Sequence, residues 1–313
     1  MAPLAMALAD RLGFAGKSPP RYGLILAAAM GTTIPAFGIL PSTVVSMAFA
    51  GVSESIHGIN FTYFDYTLLN FPILGALGLL VQTVLITVMF GAKPQPQHAA
   101  EAPAGWRPDE RRLLIILLIA LALWMTDSLH GISPAWIALA AALVCITPRI
   151  GVLPSKVLTD DVSYGAWLFV AGIIGMGAIA KETGLGTAIG EILLTYVPLT
   201  ADGGIVTFYQ IFVIGGAINL IATAPVTPPI ITAFADAIAQ AVNWPLRSVL
   251  LAEVPAFMVF PLPHQAPPVA MAMAIGGVPM RAGVRVMAVY FVIAVIVILP
   301  LQYLWGRLLG AYP

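Results

Sequence analysis

Residues 260–271 read FPLPHQAPPVAM, four prolines and a His-Gln pair set inside an apolar run that extends from about Leu246 to Gly277. A proline has no amide donor and its ring strikes the carbonyl four residues back. Pro261, Pro263, Pro267 and Pro268 together therefore break any helix that enters this stretch. The run is nonetheless long enough for a membrane span, which needs roughly 20 apolar residues. A span broken at its middle strands backbone donors and acceptors, and these are tolerated at that depth only where protein or a water-filled cavity satisfies them. The stretch thus predicts a site as well as a fold.

The rest of the chain agrees with a membrane setting. Of 313 residues, 60% are hydrophobic and 9% charged, and the mean hydropathy is +0.96, too apolar for a water-soluble chain of this length. Net charge is zero and no basic run interleaves with aromatics, which excludes a nucleic-acid partner. Cys145 is the only cysteine, so an intrachain disulfide and a cysteine-cluster metal site are both excluded. Membrane crossings are predicted at 22–51, 68–91, 113–129, 134–148, 166–197, 246–277 and 284–304. Residues 2–12 are too few to cross. Residues 205–242 are too many and are interrupted by TAPVTPP at 223–229, a pattern that predicts a re-entrant helical hairpin. The hydrophilic stretch KPQPQHAAEAPAGWRPDERR, 93–112, is the natural linker between two halves. The N-terminus lacks the basic region of a signal peptide.

An internal repeat organises these segments. A gapless shift of 226 residues aligns Pro3 with Pro229, Asp10 with Asp236, Pro19 with Pro245, Arg21 with Arg247, Pro35 with Pro261, Pro41 with Pro267, Met47 with Met273 and Gly51 with Gly277. The break at 260–271 thus has a counterpart in PAFGILP, 35–41. Five crossings separate Arg21 from Arg247, an odd number, so the two copies enter the membrane from opposite faces. Cation placement agrees. With the linker cytoplasmic, 11 of the 14 Lys and Arg fall inside, leaving Lys181, Arg247 and Arg307 outside. The expected fold is an all-α integral membrane protein built from inverted-topology repeats with re-entrant hairpins and broken transmembrane helices. Its organisation is a first repeat at 1–92, a cytoplasmic linker at 93–112 and a second repeat at 113–313, which carries the hairpin 205–242, the broken helix 246–277 and a final span 284–304. That architecture belongs to secondary transporters, whose substrate and ion sites lie at the midplane between broken helices. The second copy is preceded by membrane segments that the first lacks, so the first half is expected to be truncated.

Several segments resemble the divalent anion/sodium symporter family and its wider group of ion transporters. AWLFVAGIIGMGAIAKETGLG, 166–186, is similar to that family's Trp-then-Gly-rich segment. INLIATAPVTPPI, 218–230, falls where the family places a hairpin tip, and IPAFGILPSTVVSMAFAG, 34–51, and the 260–277 stretch fall where it places its two broken helices. The resemblance covers nearly the whole chain. It implies a sodium-coupled or exchange transporter of carboxylates or similar anions, working by an elevator motion, usually as a homodimer. The family's Ser-Asn-Thr tip is here Ile221-Ala222-Thr223, which keeps Thr223, and its Thr-Pro-Pro-Asn break is Ala266-Pro267-Pro268-Val269, which keeps both prolines.

The expected substrate contacts are Thr223 and Thr227 at the tip, Ser42 and Thr43 in the first break, and His264, Gln265, Pro267 and Pro268 in the second. The bland alternative for the two tip threonines is a hydroxyl bonded to its own i−4 carbonyl. With neither Lys nor Arg in either break, the anion is expected to be held by backbone amides and helix N-termini. So few oxygen ligands remain for Na+ that H+ becomes the favoured coupling ion, carried by His264 with Glu253, and Thr223 is the residual sodium contact. Asp10 and Asp236, paired by the repeat, are expected to share one structural job. GMGAIA, 175–180, matches a dinucleotide pattern, but no strand precedes it and small residues in a span serve close helix contact. No resident cofactor and no enzymatic step are expected. The partners are a small anion and the lipid bilayer, and the location is a bacterial-type inner membrane with several crossings. The competing readings are a truncated, non-transporting membrane scaffold and a related arsenite-type anion permease.

Overall fold

Prolines open several of the helices, because a residue in the first turn has no intrahelical acceptor to lose. The computed structural model describes residues 1–14, 16–93, 105–160, scattered residues between 162 and 184, and 199–313. Among these residues the regular structure is entirely helical. The first elements are α1 (Ala2–Arg11), α2 (Pro19–Phe37), a 3₁₀ turn at Leu40–Ser42, α3 (Val44–His57) and α4 (Tyr63–Phe90), which is π-helical over Phe71–Leu77. Next come α5 (Pro108–Met125) and α6 (Pro134–Ile146). The 166–197 segment, with its Trp-then-Gly-rich stretch and GMGAIA, falls largely outside the described residues.

The hairpin at 205–242 comprises α7 (Ile205–Ile221), a turn, α8 (Thr227–Thr232) and α9 (Ala235–Val242). It is followed by α10 (Leu246–Met258), a 3₁₀ turn at Pro263–Gln265, α11 (Pro267–Gly276) and α12 (Met280–Leu308), π-helical over Ala294–Ile298. Helix, 3₁₀ turn, helix and a long helix with a π segment therefore occur twice in the same order. Packing repeats too. α1 lies against α2 and α11, and α8, its counterpart, lies against α10 and α3.

The breaks sit a few residues from where proline positions alone put them. Pro35 is inside α2, which continues to Phe37, and Pro255 is inside α10. A single proline removes one ladder bond, and packing can hold the helix through it. Tyr312 supplies the missing donor for Pro255, its hydroxyl donating at 3.3 Å to the Leu251 carbonyl four residues back. Gly51 matches Gly277 in the repeat, yet it lies within α3. The left-handed C-cap glycines of α3 and α11 are Gly58 (φ 67°) and Gly277 (φ 63°).

Carbonyls freed by the irregular turns are satisfied from neighbouring helices, as an apolar surrounding demands. Gln302 and Trp305 of α12 donate to the Leu69 and Leu68 carbonyls of α4 at 3.1 and 3.0 Å. The Tyr209 hydroxyl of α7 donates to the Val295 carbonyl in the π segment of α12 at 2.5 Å. The last carbonyl of α2, on Phe37, accepts from both the Ser46 hydroxyl and the Tyr66 hydroxyl at 3.0 Å. Tyr66→Phe should therefore destabilise the protein by about 1 kcal/mol, one net hydrogen bond, rather than by the full cost of an orphaned carbonyl, because Ser46 remains. Thermal denaturation of Tyr66→Phe against Tyr66→Phe/Ser46→Ala tests this. The double variant should lose more than twice as much as the single.

Two described helices, Tyr63–Phe90 and Met280–Leu308, are long and apolar enough to cross a membrane unbroken. α5 and α6 pack on each other and leave rows of Leu and Ile exposed, among them Leu117, Leu118 and Ile119. Exposed apolar surface of that extent calls for a lipid or protein cover.

Candidate functional site

Three pieces of non-helical backbone converge. The amide of Ala224, in the turn between α7 and α8, donates to the Gln265 carbonyl in the second break at 2.9 Å and so ties hairpin tip to break. α2 packs along α11 and brings the first break alongside. Between them lies a half-open cavity of about 480 Å³, a volume typical of small-molecule sites. α2 contributes Thr32, Thr33, Ala36 and Phe37 to its wall. The first break and the start of α3 contribute Ser42, Thr43, Val44 and Val45, the hairpin tip contributes Ala224 and Pro225, and the second break contributes Ala266, Pro267 and Pro268.

The donors in this wall are unevenly placed. Thr43 caps α3, its hydroxyl oxygen accepting from the Ser46 amide at 3.1 Å. The amides of Val44 and Val45 occupy the first two helical positions, where no carbonyl of the same helix can reach them. At α11 those positions are Pro267 and Pro268, which have no N–H, and the Ala266 amide is spent on Pro263 at 3.1 Å. At α8 the Thr227 amide is bonded to Thr223 at 3.2 Å and two prolines follow. Of three helix starts at the cavity, α3 alone presents amides without a partner among the described residues, together with its N-terminal partial positive charge. The hydroxyls of Thr32, Thr33 and Ser42 donate back to α2, to the carbonyls of Ala28, Ala29 and Ala36.

Ser42, Thr43, Pro267 and Pro268 of the sequence-predicted set are in the cavity wall, and the others are elsewhere. Thr223 is half-buried in the turn beside the wall. Thr227 is fully buried and its hydroxyl donates to the Thr223 carbonyl at 3.2 Å, the i−4 back-bond. The Gln265 Oε1 is engaged locally, accepting from the Leu262 amide at 3.0 Å. His264 points outward, with Nε2 3.2 Å from the Leu220 carbonyl. Glu253 is fully buried on α10, away from the wall. One of its oxygens accepts from the Thr232 hydroxyl at 3.0 Å, and the other has no partner among the described residues. Thr32 and Thr33 are wall residues that the sequence reading passed over. Their signal was the helical spacing, since i+4 from each falls on Ala36 and Phe37 at the break.

Two other cavities compare poorly. One, of about 410 Å³, contains Arg247 and Asp65, but they are paired with each other at 3.0 Å. The other, of about 420 Å³, runs beside α3 past Glu54 and Asp127, whose carboxylates repel an anion.

A protein of Cupriavidus necator described as "Membrane protein" is 24% identical over 215 residues, 66% of this chain and 42% of that protein. The aligned region spans less than half the length of that relative. The family profile described as "Citrate transporter" (CitMHS) matches residues 1–252, which include α1 to α9, the first break, the hairpin and α10 as far as Ala252. The chain belongs to the citrate transporter family.

Proposed function

We propose that this protein moves small carboxylate anions, citrate foremost, across a membrane as a secondary transporter. The observation that carries the proposal is the cavity at the meeting of hairpin tip and breaks, where the Val44 and Val45 amides head a helix N-terminus. A carboxylate there accepts two hydrogen bonds and faces the positive end of α3, without a cationic side chain that would hold it too tightly to release. Family membership supports the substrate class.

The finer points belong to the same proposal. The two copies are inverted in the membrane, and the hairpin with the broken helices moves as a body in an elevator-type cycle. Movement is coupled to Na+ or H+, and the protein sits in the inner membrane as a multi-pass homodimer. No chemical step on the substrate is part of the proposal.

Purified protein in sealed vesicles should accumulate labelled citrate above empty vesicles when either an inward sodium gradient or an inward proton gradient is imposed. Unlabelled dicarboxylates and tricarboxylates should compete, and amino acids and sugars should not. Uptake equal to empty vesicles under both gradients, together with no citrate binding to the detergent-solubilised protein, would refute the reading.

A further inference from the structure

α3, 14 residues long, carries the cavity amides at its N-terminus and ends at His57. The His57 side chain is 1% exposed and lies against the second arm of the hairpin. Its Nε2 is 2.7 Å from the Thr232 carbonyl oxygen at the end of α8, and its Nδ1 is 3.1 Å from the Asp236 carboxylate at the start of α9. Both neighbours are acceptors. A neutral imidazole has one N–H and one lone pair, so with Asp236 ionised one of these contacts would set lone pair against lone pair. The geometry therefore demands one more proton than a neutral histidine and a carboxylate carry together, whichever of the two groups holds it.

The repeat shows what is unusual here. Asp10, the counterpart of Asp236, is bridged to Arg21 of its own copy, and arginine keeps its charge throughout the physiological range. Arg247, the counterpart of Arg21, turns instead to Asp65 at 3.0 Å, with its guanidinium 5.2 Å above the Phe61 ring. Asp236 is thereby left to His57 of the other copy. A permanent ion pair within one copy is replaced by a proton-dependent pair between copies.

We propose that the His57–Asp236 pair is a proton-binding site whose proton pins the hairpin arm to α3. As the coupling site of a transporter it rests on the function proposed above, and as a proton site it stands on the hydrogen-bond geometry. Thr232 is held from two sides, its carbonyl by His57 and its hydroxyl by Glu253 of α10. When the pair loses one proton to water, its charge goes from zero to minus one and the bond array at α3 breaks. The α10 side remains. The hairpin, whose tip at Ala224 and Pro225 walls the cavity, is then free to move relative to the Val44 and Val45 amides. The other titratable and charged groups nearby are Glu54, one turn back on α3, Glu253, buried behind Thr232, and the Arg247–Asp65 pair. The latch is closed at low pH and opens as pH rises, in the range where histidine changes charge.

The chain has four histidines, so ¹⁵N-histidine NMR of the intact protein resolves the rings, and His57→Gln identifies the signal. The expected spectrum shows both His57 nitrogens protonated near about pH 5.5 and one near about pH 8.5. Over the same change, hydrogen-exchange protection of residues 230–242, corrected for intrinsic rate, should fall roughly tenfold or more. In His57→Gln it should not change. A His57 ring with a single N–H throughout, together with an Asp236 carboxyl whose ¹³C shift is that of the ionised form throughout, overturns the proton site. Protection that ignores pH in the wild type, or falls equally in His57→Gln, overturns the latch. Asp236→Asn, at an exposed position, guards against a misfolded His57→Gln; its side-chain amide can donate to the Nδ1 lone pair of a neutral His57, so protection should stay high across the same pH change. Neither readout needs substrate. A pH-responsive latch without citrate uptake would sink the transport reading alone, and uptake without a pH-responsive latch would sink this inference alone.

Discussion

Val44→Pro should weaken citrate binding roughly ten- to a hundredfold while leaving α3 folded, because a hydrogen bond to a charged acceptor is worth about 1.5–3 kcal/mol. Val44 is the first residue of α3, where proline is well tolerated and no helical bond is lost. Thr43 before it is extended (φ −138°, ψ 151°), the conformation a following proline favours, and its capping bond to the Ser46 amide is unaffected. The substitution thus deletes one N–H from the cavity wall and little else. Val44→Ala is the control. It trims an exposed side chain but keeps the amide, and should bind citrate nearly as the wild type does. Calorimetric titration of citrate into both variants decides the matter. Equal affinities for Val44→Pro and Val44→Ala would show that this amide is not a ligand.

Gly215→Ala should cost more in stability than any single polar substitution in the hairpin. Gly215 lies on α7 where the helix crosses α10, and an added Cβ would sit 2.5 Å from the Ala256 Cβ and 2.8 Å from the Ile231 Cδ1. Ile231 can rotate its terminal methyl away, but the Ala256 Cβ is fixed to backbone, so the helices must separate. Crowding of this kind costs about 1–3 kcal/mol. One turn on, the buried Asn219 side chain donates to the Ala256 carbonyl at 3.0 Å, and separation strains that bond as well. Losing it would add about another 1–3 kcal/mol for a buried amide left unpaired. The compensating change is Ala256→Gly, which reopens the space at the price of about 1 kcal/mol of helix propensity. Thermal unfolding should place Gly215→Ala lowest, with Gly215→Ala/Ala256→Gly partly recovered. A Gly215→Ala protein as stable as the wild type would mean that α7 and α10 do not pack this closely.

Much of the architecture was written in local chemistry. A proline lacks its N–H in every fold, so the paired clusters around Pro41 and Pro267 announced two broken helices, and TAPVTPP announced the hairpin turn. The apolar runs between them are a property of the covalent chain, readable without knowing what each run touches. Tertiary packing decided the rest. It carried α2 through Pro35 and α10 through Pro255, because neighbours make up for one missing bond, and it moved the first break to the residues after Phe37. It also set the rotation of each helix and each side chain. Gln265 was taken by the Leu262 amide and His264 was turned out to Leu220, while Thr32 and Thr33 faced the cavity. The aspartates show the division most sharply. The repeat made Asp10 and Asp236 equivalent in sequence and predicted one shared role, but an ion pair depends on which groups are brought within about 4 Å, and that depends on the whole fold. Packing gave Asp10 a permanent cation from its own copy and gave Asp236 a histidine from the other.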